Sequence, residues 1–177
     1  GTFNIESIAT MSSGYNITVL LLLSIAALSK LGAFPFHIWL PKVLKNSPDP
    51  ISAVFSGGLE KLGAFVAVMG LLRFAPVGFN IDAISMQAGN LVVAGLGALT
   101  IVFGTLMAIR QDDAKKLLAY SSMSNGGYIL VAFAMMNSMS ITGGLYHVVA
   151  HAVASTAAFL AIGAVHRVTG TTKMSEL

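Results

Sequence analysis

Long apolar stretches with few charges constrain the fold of this chain more than any other feature. Five such stretches are separated by short polar segments, at residues 15–44, 51–75, 87–109, 117–136 and 141–165. The hydrocarbon core of a bilayer is about 30 Å thick, so a helix that rises about 1.5 Å per residue needs roughly 20 apolar residues to cross it. Only 10% of the residues are charged, whereas a soluble domain has about 25%. The sequence therefore predicts an all-α, polytopic transmembrane helix bundle with about five crossings.

The first stretch is too long for one crossing and contains Pro35 and Pro41. Proline removes a backbone N–H donor and disfavours helix at the residue before it. We therefore expect a broken first helix, with one piece over residues 17–34 and a short second piece over residues 37–44. Irregular backbone at membrane depth is tolerated only where protein or a wet cavity surrounds it, so the break is expected to lie inside the bundle or against water.

The loops carry their basic residues unequally. If the crossings alternate, Arg73 lies on one side of the membrane and seven basic residues lie on the other: Lys42, Lys45, Arg110, Lys115, Lys116, Arg167 and Lys173. The positive-inside rule then places the N-terminus outside and the basic loops on the cytoplasmic side. The membrane is expected to be a cell membrane or another energy-coupling membrane. Residues 1–14 are then an extra-membrane segment, residues 15–166 the membrane region and residues 167–177 a cytoplasmic tail. Because the chain starts at Gly1 without a signal-peptide pattern, we expect a piece of a longer protein, cut before a further helix.

Composition argues against several classes of function. The chain has no cysteine, so it has no disulfide framework and no thiolate site. Its net charge is only +3, and the basic residues flank apolar segments rather than forming a patch, which argues against nucleic acid as a partner. His147 and His151 are four residues apart, but no HExxH pattern or third ligand accompanies them, so we predict no metal and no cofactor. The glycines of "SGG" and "SNGG" lie inside apolar stretches and predict close helix packing rather than a phosphate-binding loop.

Ionisable residues within the predicted crossings are the candidate functional groups: Lys30, Glu60, Lys61, His147 and His151. A charge at such depth costs about 2.5 to 3.5 kcal/mol even on insertion scales, so each group should face protein or water. Neighbours on a helix point about 100° apart, so we expect Glu60 and Lys61 not to pair with each other and to need a partner on another helix. His147, His151 and Ser155 repeat every four residues and predict a polar stripe that can carry water. Lysine, histidine and bridging water are the usual components of an intramembrane proton path.

Structural interpretations of the same residues stay open. Lys30 can extend its charged end to the membrane surface, and Glu60 can serve as a counter-ion that holds two helices together. Either histidine of the stripe can be a hydrogen-bonded packing group, and His37 in "FPFHIWLP" can be a structural hydrogen-bonder. Before the fourth stretch, an aspartate of Gln111-Asp112-Asp113 is expected to cap the helix.

Four motifs, in order and spacing, resemble a known family. They are "SKLGAFPFHIWLP", "SPDPISAVFSGGLEKLGAF", "DDAKKLLAYSSMSNGGYI" and "GGLYHVVAHAVASTAAFLAIGAVHRVTGT". They resemble the antiporter-like, proton-translocating membrane subunits of respiratory complex I, Mrp-type sodium/proton antiporters and membrane-bound hydrogenases. The resemblance covers the middle portion of such subunits only, which have further helices on both sides.

The resemblance implies roles for individual residues. Lys30 matches a lysine of the proton path on a broken helix, Lys61 matches the central proton-storing lysine, and His151 matches a histidine of the relay. Glu60 and His147 are then modulators of that relay. Asn125 stands where the family has a histidine, so this position cannot titrate here; it is a possible auxiliary group together with His37 and Ser155.

These observations lead to one main hypothesis and two alternatives. The main hypothesis is a non-catalytic subunit that translocates protons through a buried Lys/His/water relay and is coupled to a membrane-bound oxidoreductase. Its expected partners are other membrane subunits of a multi-subunit complex, the lipid bilayer, and protons or sodium. The first alternative is a subunit of an Mrp-type sodium/proton antiporter, and the second is a structural membrane module without transport.

Overall fold

The computed structural model describes residues 13–74 and 88–176, and within these ranges the chain is almost entirely helical. The α-helices, in chain order, are α1 (Ser13–Leu31), α2 (Trp39–Asn46), α3 (Asp49–Val54), α4 (Lys61–Phe74), α5 (Ala88–Ile109), α6 (Ala114–Ala134) and α7 (Ser138–Thr169). A π-helical turn, Phe55–Leu59, lies between α3 and α4, and a 3-10 turn, Met174–Glu176, ends the described chain. In this part of the chain the only strand-like pairing is a single bridge between Asp113 and Lys173.

The predicted break in the first helix is confirmed, and it begins three residues earlier than expected. Gly32 has a left-handed backbone conformation, with φ of 64°, which glycine adopts without strain. The N–H of Ala33 donates to the carbonyl of Leu28 at 2.9 Å, and the N–H of Gly32 donates to that of Ser29 at 3.2 Å. This is the Schellman pattern of a helix C-terminus. The helix therefore ends because of a glycine cap, before either proline is reached.

Side chains fix the segment between α1 and α2. The indole N–H of Trp39 donates to the carbonyl of Ser29 at 2.8 Å, which folds α2 back toward the end of α1. The backbone N–H of Phe34 donates to the hydroxyl of Thr100 on α5 at 3.1 Å. The non-helical backbone is thus hydrogen-bonded to neighbouring elements, as expected for irregular structure in a membrane bundle.

Close approaches of backbone hold the bundle together at glycines. A Cβ atom on Gly127 of α6 would lie 2.6 Å from the carbonyl oxygen of Gly97 on α5, and one on Gly63 of α4 would lie 2.8 Å from that of Ala27 on α1. The prediction that "SNGG" serves close packing is therefore confirmed for Gly127. Small residues allow such helix contacts in membranes, where hydrophobic driving force between helices is weak.

Two of the described helices, at Asn90–Ile109 and Ser138–Thr169, are long and apolar enough by length and composition to cross a bilayer. The second has 32 residues, so at about 1.5 Å per residue it is longer than the bilayer core is thick.

The predicted cap of α6 is confirmed, because the Asp113 carboxylate accepts from the N–H of Lys116 at 3.0 Å. It satisfies one of the free amide groups at the start of α6.

Candidate functional site

Glu60 and Lys61 form a buried ion pair at the junction of the π-turn and α4. The Lys61 Nζ and Glu60 Oε1 atoms are 3.3 Å apart, and the two residues are 7% and 1% exposed. The expectation that these neighbours would not pair was wrong. The N–H of Glu60 donates to the carbonyl of Phe55, five residues back. The backbone at Glu60 itself is α-helical, with φ of −61° and ψ of −38°. The pair therefore forms because the two long side chains bend toward each other across the 100° step.

This ion pair is otherwise isolated. Within residues 13–74 and 88–176, neither Glu60 carboxylate oxygen nor the Lys61 ammonium has a hydrogen bond of good geometry to any protein group. Buried charges are normally paired and also fully hydrogen-bonded, because their lost hydration is expensive. The two charges therefore compensate mainly each other, and a change in one directly affects the energy of the other.

Two buried hydroxyl groups meet about one helical turn before the ion pair. Ser56, in the π-turn and four residues before Glu60, shares a hydrogen bond of 2.7 Å between hydroxyl oxygens with Ser122 of α6. Both serines are almost completely buried. A hydroxyl both donates and accepts, so a pair of them can pass a hydrogen-bonded chain from one helix to the next. Sequence reasoning missed both serines; the spacing of Ser52, Ser56 and Glu60 along one helical face was the available signal.

Ser122 also lines a pocket between α6 and α7. The pocket has a volume of about 300 Å³, and its polar lining residues are Ser121, Ser122, Asn125, His151 and Ser155. This volume is many times the roughly 30 Å³ that one water occupies in the liquid. The pocket can therefore hold several waters beside His151.

The two histidines of the predicted stripe lie together on α7. Their rings stack, with centroids 6.1 Å apart and planes within 6° of parallel. Asn125 donates to the carbonyl of Ser121, so its Oδ1 is the acceptor for His147 Nε2–H at 3.0 Å. The Nδ1 atom of His151 is buried and has no hydrogen-bond partner among the described residues. The Ser56–Ser122 hydrogen bond and the pocket lie between these histidines and the Glu60–Lys61 pair, and together they form one polar cluster.

Lys30 and His37 lie apart from this cluster. Lys30 is exposed on α1, and no hydrogen bond or ion pair joins it to another residue in the described ranges. The ring of His37 lies in the break between α1 and α2, with its centroid 4.6 Å from that of Phe103 and 5.8 Å from that of Phe34. The structure therefore brings Glu60, Lys61, His147 and His151 together, but it joins neither Lys30 nor His37 to them.

Residues 1–177 match the family described as "NADH:quinone oxidoreductase/Mrp antiporter, TM". The chain belongs to this family. Its all-helical, polytopic membrane fold is thereby confirmed, since the members are integral membrane subunits of respiratory and antiporter complexes.

Relatives in the family come from several kinds of complex. Over 183 residues the chain is 31% identical to an Na(+)/H(+) antiporter subunit of Alkalihalophilus pseudofirmus, covering 100% of this chain and 36% of the relative. Over 172 residues it is 38% identical to an NADH-quinone oxidoreductase subunit of Xanthomonas euvesicatoria, covering 94% and 34%. The chain thus spans about a third of the length of these curated relatives.

Solved structures show the same fold. A chain of respiratory complex I from Thermus thermophilus with bound NADH matches with a TM-score of 0.82 and 28% identity, over 97% of this chain and 36% of that one. A chain of the Mrp complex from Dietzia sp. DQ12-45-1b matches with a TM-score of 0.80 and 26% identity, over 93% of this chain and 17% of that one.

Proposed function

We propose that this family member is part of an antiporter-like membrane subunit that translocates protons through a buried relay of lysine, histidine and water. The observation that carries the proposal is the Glu60–Lys61 pair, buried at a π-turn with no other hydrogen bond among the described residues. A structural ion pair gains from a full set of hydrogen bonds. A pair that must gain and lose a proton cannot be fixed in one protonation state by a full set of hydrogen bonds. In addition, π-turns often occur at functional sites.

In this proposal Lys61 stores a proton and Glu60 sets how strongly it is held. The Ser56–Ser122 hydrogen bond links the π-turn to the pocket that His151 lines. His147 stacks on His151 and lies behind it as a second carrier, held in orientation by Asn125. After Lys61 releases its proton toward the histidines, it takes up a new proton from the side of Lys30.

The remaining parts of the path are supplied by partners outside the described residues. Lys30 is exposed in this chain, and the chain spans about a third of the length of its curated relatives. We therefore propose that further membrane segments and subunits cover Lys30, and that a redox-driven complex is the host. The unequal distribution of basic residues supports a cytoplasmic C-terminus and an N-terminus outside.

Replacement of Lys61 by alanine tests the proposal. Vesicles that contain the intact parent complex are energised by the complex's own driving reaction, and proton uptake is measured per assembled complex. We expect uptake to be lost while assembly is retained. Normal uptake per assembled complex in Lys61→Ala would instead support the purely structural alternative.

Sodium/proton antiport is the second candidate, and one observation favours it. Glu60 is the one acidic residue in the predicted crossings, and both of its oxygens lack a hydrogen-bond donor within the described ranges. Carboxylate oxygens are suitable ligands for a hard cation such as sodium. If the subunit moves sodium, transport should depend on sodium in the wild type and lose that dependence in Glu60→Gln. Proton uptake that is equal with and without sodium would count against this candidate.

A further inference from the structure

A second charged cluster lies at the end of the bundle where the basic loops are found. Lys115, at the start of α6, donates to the Asp49 carboxylate at 3.0 Å and to the carbonyl of Ser47 at 2.6 Å. His166, in the last turn of α7, has its Nδ1 atom 3.8 Å from the other Asp49 oxygen. The cluster therefore joins α3, α6 and α7, and the last two of these helices also line the pocket beside His151.

Exposure changes in steps across this cluster. The side chain of His166 is 43% exposed, that of Asp49 is 16% exposed and that of Lys115 is 5% exposed. A titratable imidazole thus meets water, a carboxylate lies behind it, and a buried ammonium lies deepest. Lys45 and Asp113 form a separate pair, 3.5 Å apart, and they are the charged neighbours that join α2 to the start of α6.

The helical register points this cluster toward the pocket. Ser122 lies seven residues after Lys115 on α6, and Ser155 lies eleven residues before His166 on α7. Seven residues are about two helical turns and eleven are about three, so each pair shares one helix face. Both serines line the pocket. The pocket and the cluster therefore lie along the same groove between α6 and α7.

The end of the pocket nearest the cluster is apolar, and on α7 it lies eight residues, about 12 Å, before His166. Leu118 and Ala158 line the end of the pocket that lies toward Lys115 and His166. Leu118 is three residues from Lys115, which is less than one turn of α6. Water that passes this pair reaches Ser122, and the hydrogen bond between the hydroxyls of Ser122 and Ser56 continues the chain to the π-turn.

We propose that the Asp49–Lys115–His166 cluster is the aqueous port of the pocket, through which protons exchange between the basic side of the membrane and the relay. The proton-carrying role of the port rests on the proposed function, whereas its role as a water entrance does not. Asp49 holds protons at the opening, His166 exchanges them with solution, and Lys115 holds the carboxylate in place. Leu118 and Ala158 form the constriction behind it.

Cysteine accessibility tests the entrance without reference to transport. The chain has no cysteine, so Ala158→Cys can be made in a parent complex whose other reactive cysteines have been replaced. A membrane-impermeant thiol reagent is added from the basic side. Ala157→Cys is the matched control, because Ala157 is at the same depth but does not line the pocket. We expect Ala158→Cys to react about tenfold faster than Ala157→Cys. The thiol of the control variant lies in apolar surroundings, where little thiolate forms.

Transport variants test the proton-carrying role. Proton uptake is measured in vesicles with the intact parent complex, across a range of pH, for Asp49→Asn, Asp49→Glu and His166→Asn. The control is Arg167→Asn, which removes an exposed charge on the next residue. We expect uptake to fall several-fold in Asp49→Asn, to be largely retained in Asp49→Glu, and to fall several-fold in His166→Asn. If Asp49→Asn does not assemble, His166→Asn decides the question, since His166 is half-exposed.

The outcomes separate this port from the relay itself. Equal labelling of the two cysteine variants overturns the port as an entrance. Wild-type uptake at every pH in His166→Asn, when Lys61→Ala abolishes uptake, overturns its proton-carrying role and leaves the relay intact. Fast labelling of Ala158→Cys together with normal uptake in Lys61→Ala supports the entrance and contradicts the proposed relay.

Discussion

The buried ion pair makes a quantitative prediction about stability. At 3.3 Å between Lys61 Nζ and Glu60 Oε1, and with an effective permittivity of about 20, the two charges attract each other by about 5 kcal/mol. The cost of taking both out of water opposes most of this attraction. Removing one partner leaves the other charge buried and uncompensated, which costs about 3 to 5 kcal/mol. Removing both leaves no charge to compensate.

A double-mutant cycle therefore distinguishes this pair from two independent groups. We expect Glu60→Gln and Lys61→Met each to destabilise the parent complex by about 3 to 5 kcal/mol, and the double variant to lie within about 1 kcal/mol of the wild type. The measurement is the thermal unfolding of the purified complex in detergent. Leu62→Met is the matched control, because Leu62 is the next residue and is 53% exposed. Additive losses in the double variant would refute the conclusion that the two charges compensate each other.

Three further predictions concern neighbouring contacts. Gly127→Val should separate α5 from α6, because a Cβ atom there would lie 2.6 Å from a backbone oxygen; overpacking of this kind costs about 1 to 3 kcal/mol, and thermal unfolding measures it. Ser122→Ala leaves the Ser56 hydroxyl buried without its partner, so stability should fall by about 1 to 3 kcal/mol and proton uptake should slow. The hydrogen bond from Lys115, aided by His166 and opposed by burial, holds the pKa of Asp49 below its ordinary value. The contribution of the ionised Asp49 carboxylate to the stability of the fold is complete above about pH 4 and is lost as the pH falls further. Acidification should therefore lower the unfolding temperature less in Asp49→Asn than in the wild type.

Features that depend on local chemistry could be predicted from the sequence. Apolar length indicated a membrane bundle, and the proline-rich stretch indicated a broken first helix, although the helix ends at the cap of Gly32. The aspartate run indicated the cap that Asp113 forms. Each of these features depends on residues only a few positions apart, so a single sequence contains the whole signal.

Features that depend on tertiary packing were missed. The π-turn before Glu60 lies where Gly57 packs against Thr156 of α7, about a hundred residues away in sequence. The hydroxyl pair of Ser56 and Ser122 joins residues that are 66 positions apart. The helical rule failed for Glu60 and Lys61 because both side chains are long enough to bend toward each other across the 100° step between neighbours.

The central claim is that Lys61 carries the transported proton. The most direct test is the number of protons taken up per turnover of the driving reaction, measured in vesicles with the intact parent complex. Lys61→Ala is compared with wild type and with the control Leu62→Met, at equal amounts of assembled complex. Our account predicts that Lys61→Ala assembles and lowers this number, while the control leaves it unchanged. An unchanged number in Lys61→Ala would contradict the account and assign the buried pair a purely structural role.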